Sequence, residues 1–201
     1  AIIENDDVVI DGQSICSTDE IKLLGQHNWQ NACASVTAVR QITQNTEAIR
    51  KVLTTFTGLE HRLELVRELN GIKYYDDSFG TTPETAIVAI EAFDEPKVVI
   101  LGGSDKGATF EKLAKAVTQN NVRTVVAIGR MGPVISKALR SAGFDHIVEG
   151  GNTMQDIVNA AKEHAKAGDV VLLSTACASY DLFENYKDRA EKFQKVVNSL
   201  A

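Results

Sequence analysis

The sequence predicts an α/β protein built on a doubly wound, mostly parallel sheet. Three observations carry this expectation. Short apolar runs at Lys97 to Leu101, Thr124 to Ile128 and Val170 to Leu173 read as strands buried on both faces. Between them lie helical patterns of about 10 to 15 residues, the alternation of βαβ crossovers. Two loops of small residues, Gly102-Gly103-Ser104-Asp105-Lys106-Gly107 and Ser174-Thr175-Ala176-Cys177-Ala178-Ser179, leave the ends of such strands. Open α/β sheets place their ligands there.

In chain order, Asp7 to Ile10, Gln13 to Cys16 and Glu20 to Leu23 read as short strands, with Asp11-Gly12 as a hairpin turn between the first two. The segment from Ala1 begins inside a sheet, the pattern expected of a chain that continues upstream. Asn28 to Thr43 is a small-residue helix and Glu47 to Thr54 a second one. Phe56-Thr57-Gly58-Leu59 breaks the pattern, so a domain boundary is expected there, dividing residues 1–56 from 57–201. Leu63 to Leu69 and Ile72 to Tyr75 are strand-like around Asn70-Gly71, and Pro83 to Phe93 is a helix with Pro in its first turn. His146 to Val148 adds a further strand. The remaining helices are Thr109 to Gln119, Pro133 to Ala142, Thr153 to Ala167 and Tyr180 to Leu200.

Composition narrows the function classes. The 201 residues are 44% hydrophobic and 24% charged, as in ordinary globular proteins, and the net charge of −6 argues against a nucleic-acid surface. No apolar run approaches the roughly 18 residues of a membrane helix, and no basic leader precedes an apolar segment. A cytoplasmic protein with no membrane or nucleic-acid partner is expected. Cys16, Cys33 and Cys177 form no Cys-x-x-Cys pair, so neither a disulfide framework nor a metal site is expected.

Several residues could carry chemistry. Asp76-Asp77-Ser78 ends a strand and runs into Phe79-Gly80-Thr81-Thr82-Pro83, where a carboxylate could hold a ribose hydroxyl or hydrated metal, or form an ordinary acidic turn. Thr81 or Thr82 could cap the following helix. Arg62 is shaped for bidentate phosphate recognition, although a surface Arg needs no ligand. Asn28 and Asn31 share a helix face and could read a purine edge or cap the helix. Lys106 supplies a point charge in a Gly-rich turn, while Gly129-Arg130-Met131-Gly132 reads as structural. Tyr180, Phe183 and Tyr186 follow at helical spacing, a pattern more often of core than of a cofactor box. Neither opening loop has the nucleotide-binding spacing G-x-x-x-x-G-K-[ST].

The order of these strings is more specific than any one of them. His27-Asn28-x-x-Asn31, Phe56-x-Gly58-Leu59-Glu60-His61-Arg62-x-Glu64 and Asp77-Ser78-x-x-Thr81 are followed by Leu101-Gly102-Gly103-x-Asp105-Lys106-Gly107. Last comes Leu173-Ser174-x-Ala176-Cys177-Ala178-Ser179-x-Asp181-x-Phe183-x-x-Tyr186-x-x-Arg189. The succession resembles the Mur ligases of peptidoglycan precursor synthesis. The Gly-Leu-Glu-His-Arg-x-Glu and Ala-Cys-Ala-Ser strings favour the branch that adds D-glutamate to UDP-N-acetylmuramoyl-L-alanine.

The resemblance implies that residues 1–56 are the tail of a central ATP-binding domain and 57–201 a C-terminal Rossmann-like domain that binds the amino acid. It places the UDP-sugar domain, the phosphate loop and the Mg²⁺ ligands upstream of Ala1. Asn28, Asn31, Arg62 and Asp77 would contact ATP. Thr81, Lys106 and Ser179 would hold the carboxylates of D-glutamate, with Tyr180 and Tyr186 where the family has apolar contacts. It further implies amide formation through an acyl phosphate, by an enzyme expected to be a monomer. The chain alone is expected to be inactive. Two departures stand out: Phe79-Gly80 replaces a usual Lys-Ala, and Thr175 a usual Pro. Loss of that Lys keeps open a sister ligase with another amino acid. A stand-alone anion- or nucleotide-binding module is a further alternative.

Overall fold

The computed structural model describes residues 1–201 as two compact units, Ala1–Gly58 and Leu59–Ala201. The first holds an antiparallel sheet of β1 (Ile2–Glu4), β2 (Asp7–Ile10) and β3 (Gln13–Ser17), with helices α1 (Gln26–Arg40) and α2 (Thr46–Thr55). Asp11 and Gly12 both adopt positive φ, as a two-residue hairpin requires. Asn5 and Asp6 do the same without a glycine, which hides β1 from the sequence pattern. Val8, Ile10, Ile15, Val36 and Ile49 are buried together as this unit's core.

Two expectations in this unit are corrected. Glu20 to Leu23 is not a strand, because Ser17 and Glu20 form a reciprocal capping box around a 3-10 turn at Thr18–Glu20. Helix α1 starts two residues earlier than expected, at Gln26 behind Gly25, whose φ of 87° lets the chain enter without a side-chain cap. Asn28 and Asn31 therefore do not cap it. Asn28 Nδ2 donates to the Leu24 carbonyl at 2.7 Å, and Asn31 Nδ2 to Asn28 Oδ1 at 3.2 Å.

The second unit is a six-stranded sheet. Its strands in chain order are β4 (Glu64–Leu69), β5 (Ile72–Asp76), β6 (Lys97–Gly102), β7 (Val122–Ile128), β8 (Ile147–Glu149) and β9 (Val170–Leu173). They lie in the order β4-β5-β9-β6-β7-β8. Only the β4–β5 pair is antiparallel, joined by a turn with Asn70 and Gly71 at positive φ. β9 enters last and fills the gap between β5 and β6, pairing parallel with both. The loops after β5, β6, β7 and β9 thus emerge on one edge, where the sheet's connections diverge.

Helices α3 (Pro83–Glu91), α4 (Glu111–Gln119) and α5 (Gly132–Ser141) pack in succession, and α6 (Met154–His164) packs against α7 (Tyr186–Ser199). Val98, Ile100, Val126, Val171 and Leu173 join Ile157, Val158, Phe193 and Val197 in one buried cluster. Their strand neighbours Val99, Leu101, Val125 and Leu172 are equally buried, as the pleat demands of a sheet covered on both faces. Helix α7 starts at Tyr186, not Tyr180. Asn185 accepts from the Lys187 and Asp188 N–H groups and so sets the start, while residues 180–185 form turns. Tyr180, Phe183 and Tyr186 consequently share no helix face. No helix is long and apolar enough to cross a membrane.

Candidate functional site

Four loops meet at the carboxyl edge of the second unit's sheet. The loop after β6 pairs directly with the loop after β9: Gly102 N–H donates to the Thr175 carbonyl at 2.9 Å and Ser104 N–H to that of Ala178 at 2.8 Å. This approach requires glycine. Gly103 has φ 139°, and a Cβ there would lie 2.2 Å from the Ala178 oxygen. Asp181 joins a third loop to the pair, accepting from Arg130 N–H at 2.7 Å and Ser104 Oγ at 3.4 Å.

The loop after β5 brings the fourth side. Thr82 caps α3 in a reciprocal box with Thr85, which leaves Thr81 free of that task. Lys106 Nζ donates to Thr81 Oγ1 at 3.4 Å, so two of the residues expected to bind the amino acid stand together. Lys106 is exposed, Thr81 half-buried, and Ser179 buried in the loop that pairs with Ser104. An exposed cation beside hydroxyls suits a carboxylate. Tyr180 does not join them in the same way, being 72% exposed.

Asp77 is turned inward. It is 5% exposed, with Oδ2 accepting from Ser174 Oγ at 2.6 Å and Oδ1 from Leu63 N–H at 3.3 Å. Desolvation pushes its pKa up to about 6, against the lowering effect of those hydrogen bonds. Gly80 makes room for this posture, because a Cβ there would fall 2.9 Å from Asp77 Oδ2. The Phe79-Gly80 departure is thus coupled to where the carboxylate lies. Phe79 itself is half exposed, with the Arg62 guanidinium 5.9 Å from its ring centre and Tyr186 edge-on at 5.4 Å. Arg62, Phe79 and Tyr186 form one continuous group.

Sequence reasoning named Asp76, His61 and Glu64 but missed that they brace this site together with Gln194. Asp76 is fully buried; its Oδ1 accepts from Ser78 N–H at 2.9 Å, and its Oδ2 lies 2.9 Å from His61 Nδ1 and 3.2 Å from Gln194 Nε2. Glu64 Oε2 accepts from His61 N–H and Gln194 Nε2. His61 and Leu63 sit at φ 62° and 48°, a conformation these bonds hold in place. The His61, Glu64 and Asp76 ligand atoms lie within 4.8 Å of one another, the spacing of a possible metal site. All three are engaged with each other and Gln194, and their placement fixes the segment carrying Arg62. Arg189 is the other missed brace. Asp181 was visible only as a member of the long string after β9, and Gln194 had no sequence signal. The stretch Lys187 to Lys192 reads from sequence as a solvated helix face, which holds for the Asp188–Lys192 pair and is corrected for Arg189, whose side chain is fully buried.

Nothing here is an activated nucleophile. Cys177 is buried, and desolvation pushes its thiol up to about 12, which keeps it protonated and inert. A cation beside hydroxyls is chemically suited to an anion. Asn28 and Asn31 belong to the first unit.

Residues 61–177 match the family described as Mur ligase, glutamate ligase domain. The UDP-N-acetylmuramoylalanine–D-glutamate ligase of Caldicellulosiruptor bescii is 42% identical over 94% of this chain and 41% of its own length. Other curated D-glutamate ligases show the same proportion, so the chain spans about two fifths of the relatives it matches. Among solved structures, the UDP-N-acetylmuramate-alanine ligase of Thermotoga maritima superposes with a TM-score of 0.65 at 21% identity, over 89% of this chain and 39% of that one. The MurF ligase of the same organism, in complex with ADP, gives 0.61 at 18% identity, over 88% and 40%. These two likenesses establish the fold.

Proposed function

This chain belongs to the Mur ligase family, and from that premise we propose that it is the acceptor-binding part of an ATP-dependent D-glutamate ligase of peptidoglycan precursor synthesis. Residues 57–201 form the amino-acid-binding domain in this reading, and residues 1–56 end a central ATP-binding domain. The observation that carries it is the Lys106–Thr81 pair beside the Ser179 loop, a cation and hydroxyls at the edge where α/β sheets bind ligands. An amino acid with two carboxylates is a natural occupant. Tyr186, with Phe79, supplies an apolar wall, and Tyr180 an exposed ring at the rim.

ATP supplies the energy by moving its γ-phosphate to the carboxylate of UDP-N-acetylmuramoyl-L-alanine. The D-glutamate amine then displaces phosphate and forms the amide. This chain's share is positioning and charge neutralisation. Arg62 is exposed and fits a phosphate contact; Asn28 and Asn31, in the first unit, are further ATP contacts in this reading. Asp77 Oδ1, which accepts only the long Leu63 N–H contact, keeps a lone pair for a ribose hydroxyl in this reading. Mg²⁺ finds no fit here, since it prefers an octahedron of oxygens and water, whereas the one three-membered group includes an imidazole and is already hydrogen-bonded. Its ligands belong to the rest of the enzyme, which acts as a cytoplasmic monomer in this reading.

The full-length ligase tests this through D-glutamate-dependent phosphate release. Lys106→Met removes a charge-assisted bond and should raise the KM for D-glutamate at least about tenfold, with the KM for UDP-N-acetylmuramoyl-L-alanine unchanged. Faster turnover with another amino acid than with D-glutamate would refute the acceptor assignment. The 201-residue chain alone should release no phosphate.

A further inference from the structure

Arg189 lies one turn into α7 and has no exposed surface. Its Nη2 donates to the Ser78 carbonyl at 2.8 Å and its Nη1 to the Cys177 carbonyl at 3.2 Å. Ser78 stands three residues before Thr81, and Cys177 two before Ser179. One guanidinium therefore spans the two loops that carry the hydroxyls proposed to hold the acceptor.

This placement is costly by every local measure. No carboxylate lies within 4.0 Å of the guanidinium, and its Nε–H has no hydrogen-bond partner. Burial lowers its pKa to about 10, the carboxylates of Asp76, Asp181 and Asp77 acting only at longer range. A cation in the first turn of a helix also opposes the helix dipole. A hydrophobic side chain could fill the volume at less cost. What it could not do is fix two backbone carbonyls with one planar fork. One loop needs such fixing, since Ala176 holds the left-handed conformation at φ 59°, which a non-glycine residue keeps only when its surroundings impose it.

We propose that Arg189 is a positioning residue that sets the spacing between the Thr81 and Ser179 loops, and so the fit of the acceptor's two carboxylates. The proposal rests on the acceptor-binding reading above. Arg189 touches no substrate. It acts through Ser78 and Cys177, and its buried positive charge biases the enclosure toward an anion.

The test uses Arg189→Lys and Arg189→Met in the full-length ligase. Lys keeps the charge but cannot reach both carbonyls as a fork, so the KM for D-glutamate should rise about tenfold, equivalent to about 1.4 kcal/mol. Met should raise it further. In the Lys variant, kcat should stay within about threefold and the KM for the UDP-linked substrate should not move. A role in stability alone would instead lower kcat as the active fraction falls, with every KM unchanged, and that result overturns the proposal. So does wild-type behaviour of Arg189→Lys.

A second measurement on the wild-type 201-residue chain needs no variant to fold. In ¹⁵N NMR the two Nη groups of Arg189 should give separate, slowly exchanging signals, and an averaged signal would overturn the clamp. Failure of the wild-type ligase to use D-glutamate would count against the acceptor reading, while the NMR result would still decide the clamp.

Discussion

Asp77→Asn separates what the site gains from what the fold loses. Asp77 titrates at about 6 in the folded chain against a reference of 3.8, so the native state binds its proton more tightly than the unfolded state. The stabilising contribution of the protonated form is fully present below about pH 3.8 and is lost as pH rises through about 6. A difference of about two pKa units corresponds to about 3 kcal/mol of stability forfeited by neutral pH. Asparagine has the same shape and no charge to desolvate, and the Ser174 hydroxyl can rotate to meet either end of its amide. The variant should therefore be more stable than wild type at pH 8, by up to about 3 kcal/mol, with no advantage near pH 4. Urea unfolding from pH 4.5 to 8 measures this. All four tyrosines lie in the second unit and the single tryptophan, Trp29, in the first, so the two transitions can be followed separately. Only the tyrosine-reported transition should change. Equal midpoints for the two proteins at pH 8, or a variant that retains the wild-type slope, would refute the desolvation argument.

Two further substitutions probe the loops. Gly103→Ala places a Cβ 2.2 Å from the Ala178 oxygen at φ 139° and should cost about 2–6 kcal/mol, adding strain to overlap; Gly107→Ala, at φ 72° with nothing within 4 Å, should cost only about 1–2 kcal/mol in the same urea assay. Phe79→Leu in the full-length ligase should raise the KM for ATP about two- to fivefold by releasing Arg62 from the ring, an exposed cation–π contact of about 0.5–1 kcal/mol. Phe79→Trp should restore it, and equal KM values for Leu and Trp would remove the ring from the account.

Strands β6, β7 and β9 were legible because each holds a continuous apolar run closed by a glycine or hydroxyl loop. The insertion of β9 between β5 and β6 was not, since strand order is set by which helices cover which face, and no local pattern records that. The false strand at Glu20 to Leu23 shows a short apolar alternation losing to a capping box. The early start given to α7 shows helical spacing losing to Asn185, whose side chain satisfies two N–H groups at once. In the site, Lys106 as a charge in a Gly-rich turn and Thr81 as a hydroxyl beside a helix start could be read from the residues, while their joint role came only from the family resemblance. Asp77 could be located, though not its inward posture, because that depends on Ser174, Leu63 and the missing Cβ at Gly80.

The residues whose role sequence reasoning missed, Arg189 and Gln194, are polar or charged, buried or half-buried, and bonded to groups far along the chain. Arg189 reaches Ser78 across 111 residues and Gln194 reaches Asp76 across 118. Such contacts hold loops rather than enlarge a core. Burial raises the pKa of Asp77 and lowers that of Arg189, so the surroundings disfavour the charged form of each. A fold selected for stability alone would replace both. Their presence in one enclosure, with the exposed Lys106 and Arg62 at its rim, means that stability has been given up to keep charges in fixed places. Under the proposed function, the buried charges below and the exposed cations above divide the work of holding an anionic ligand in register.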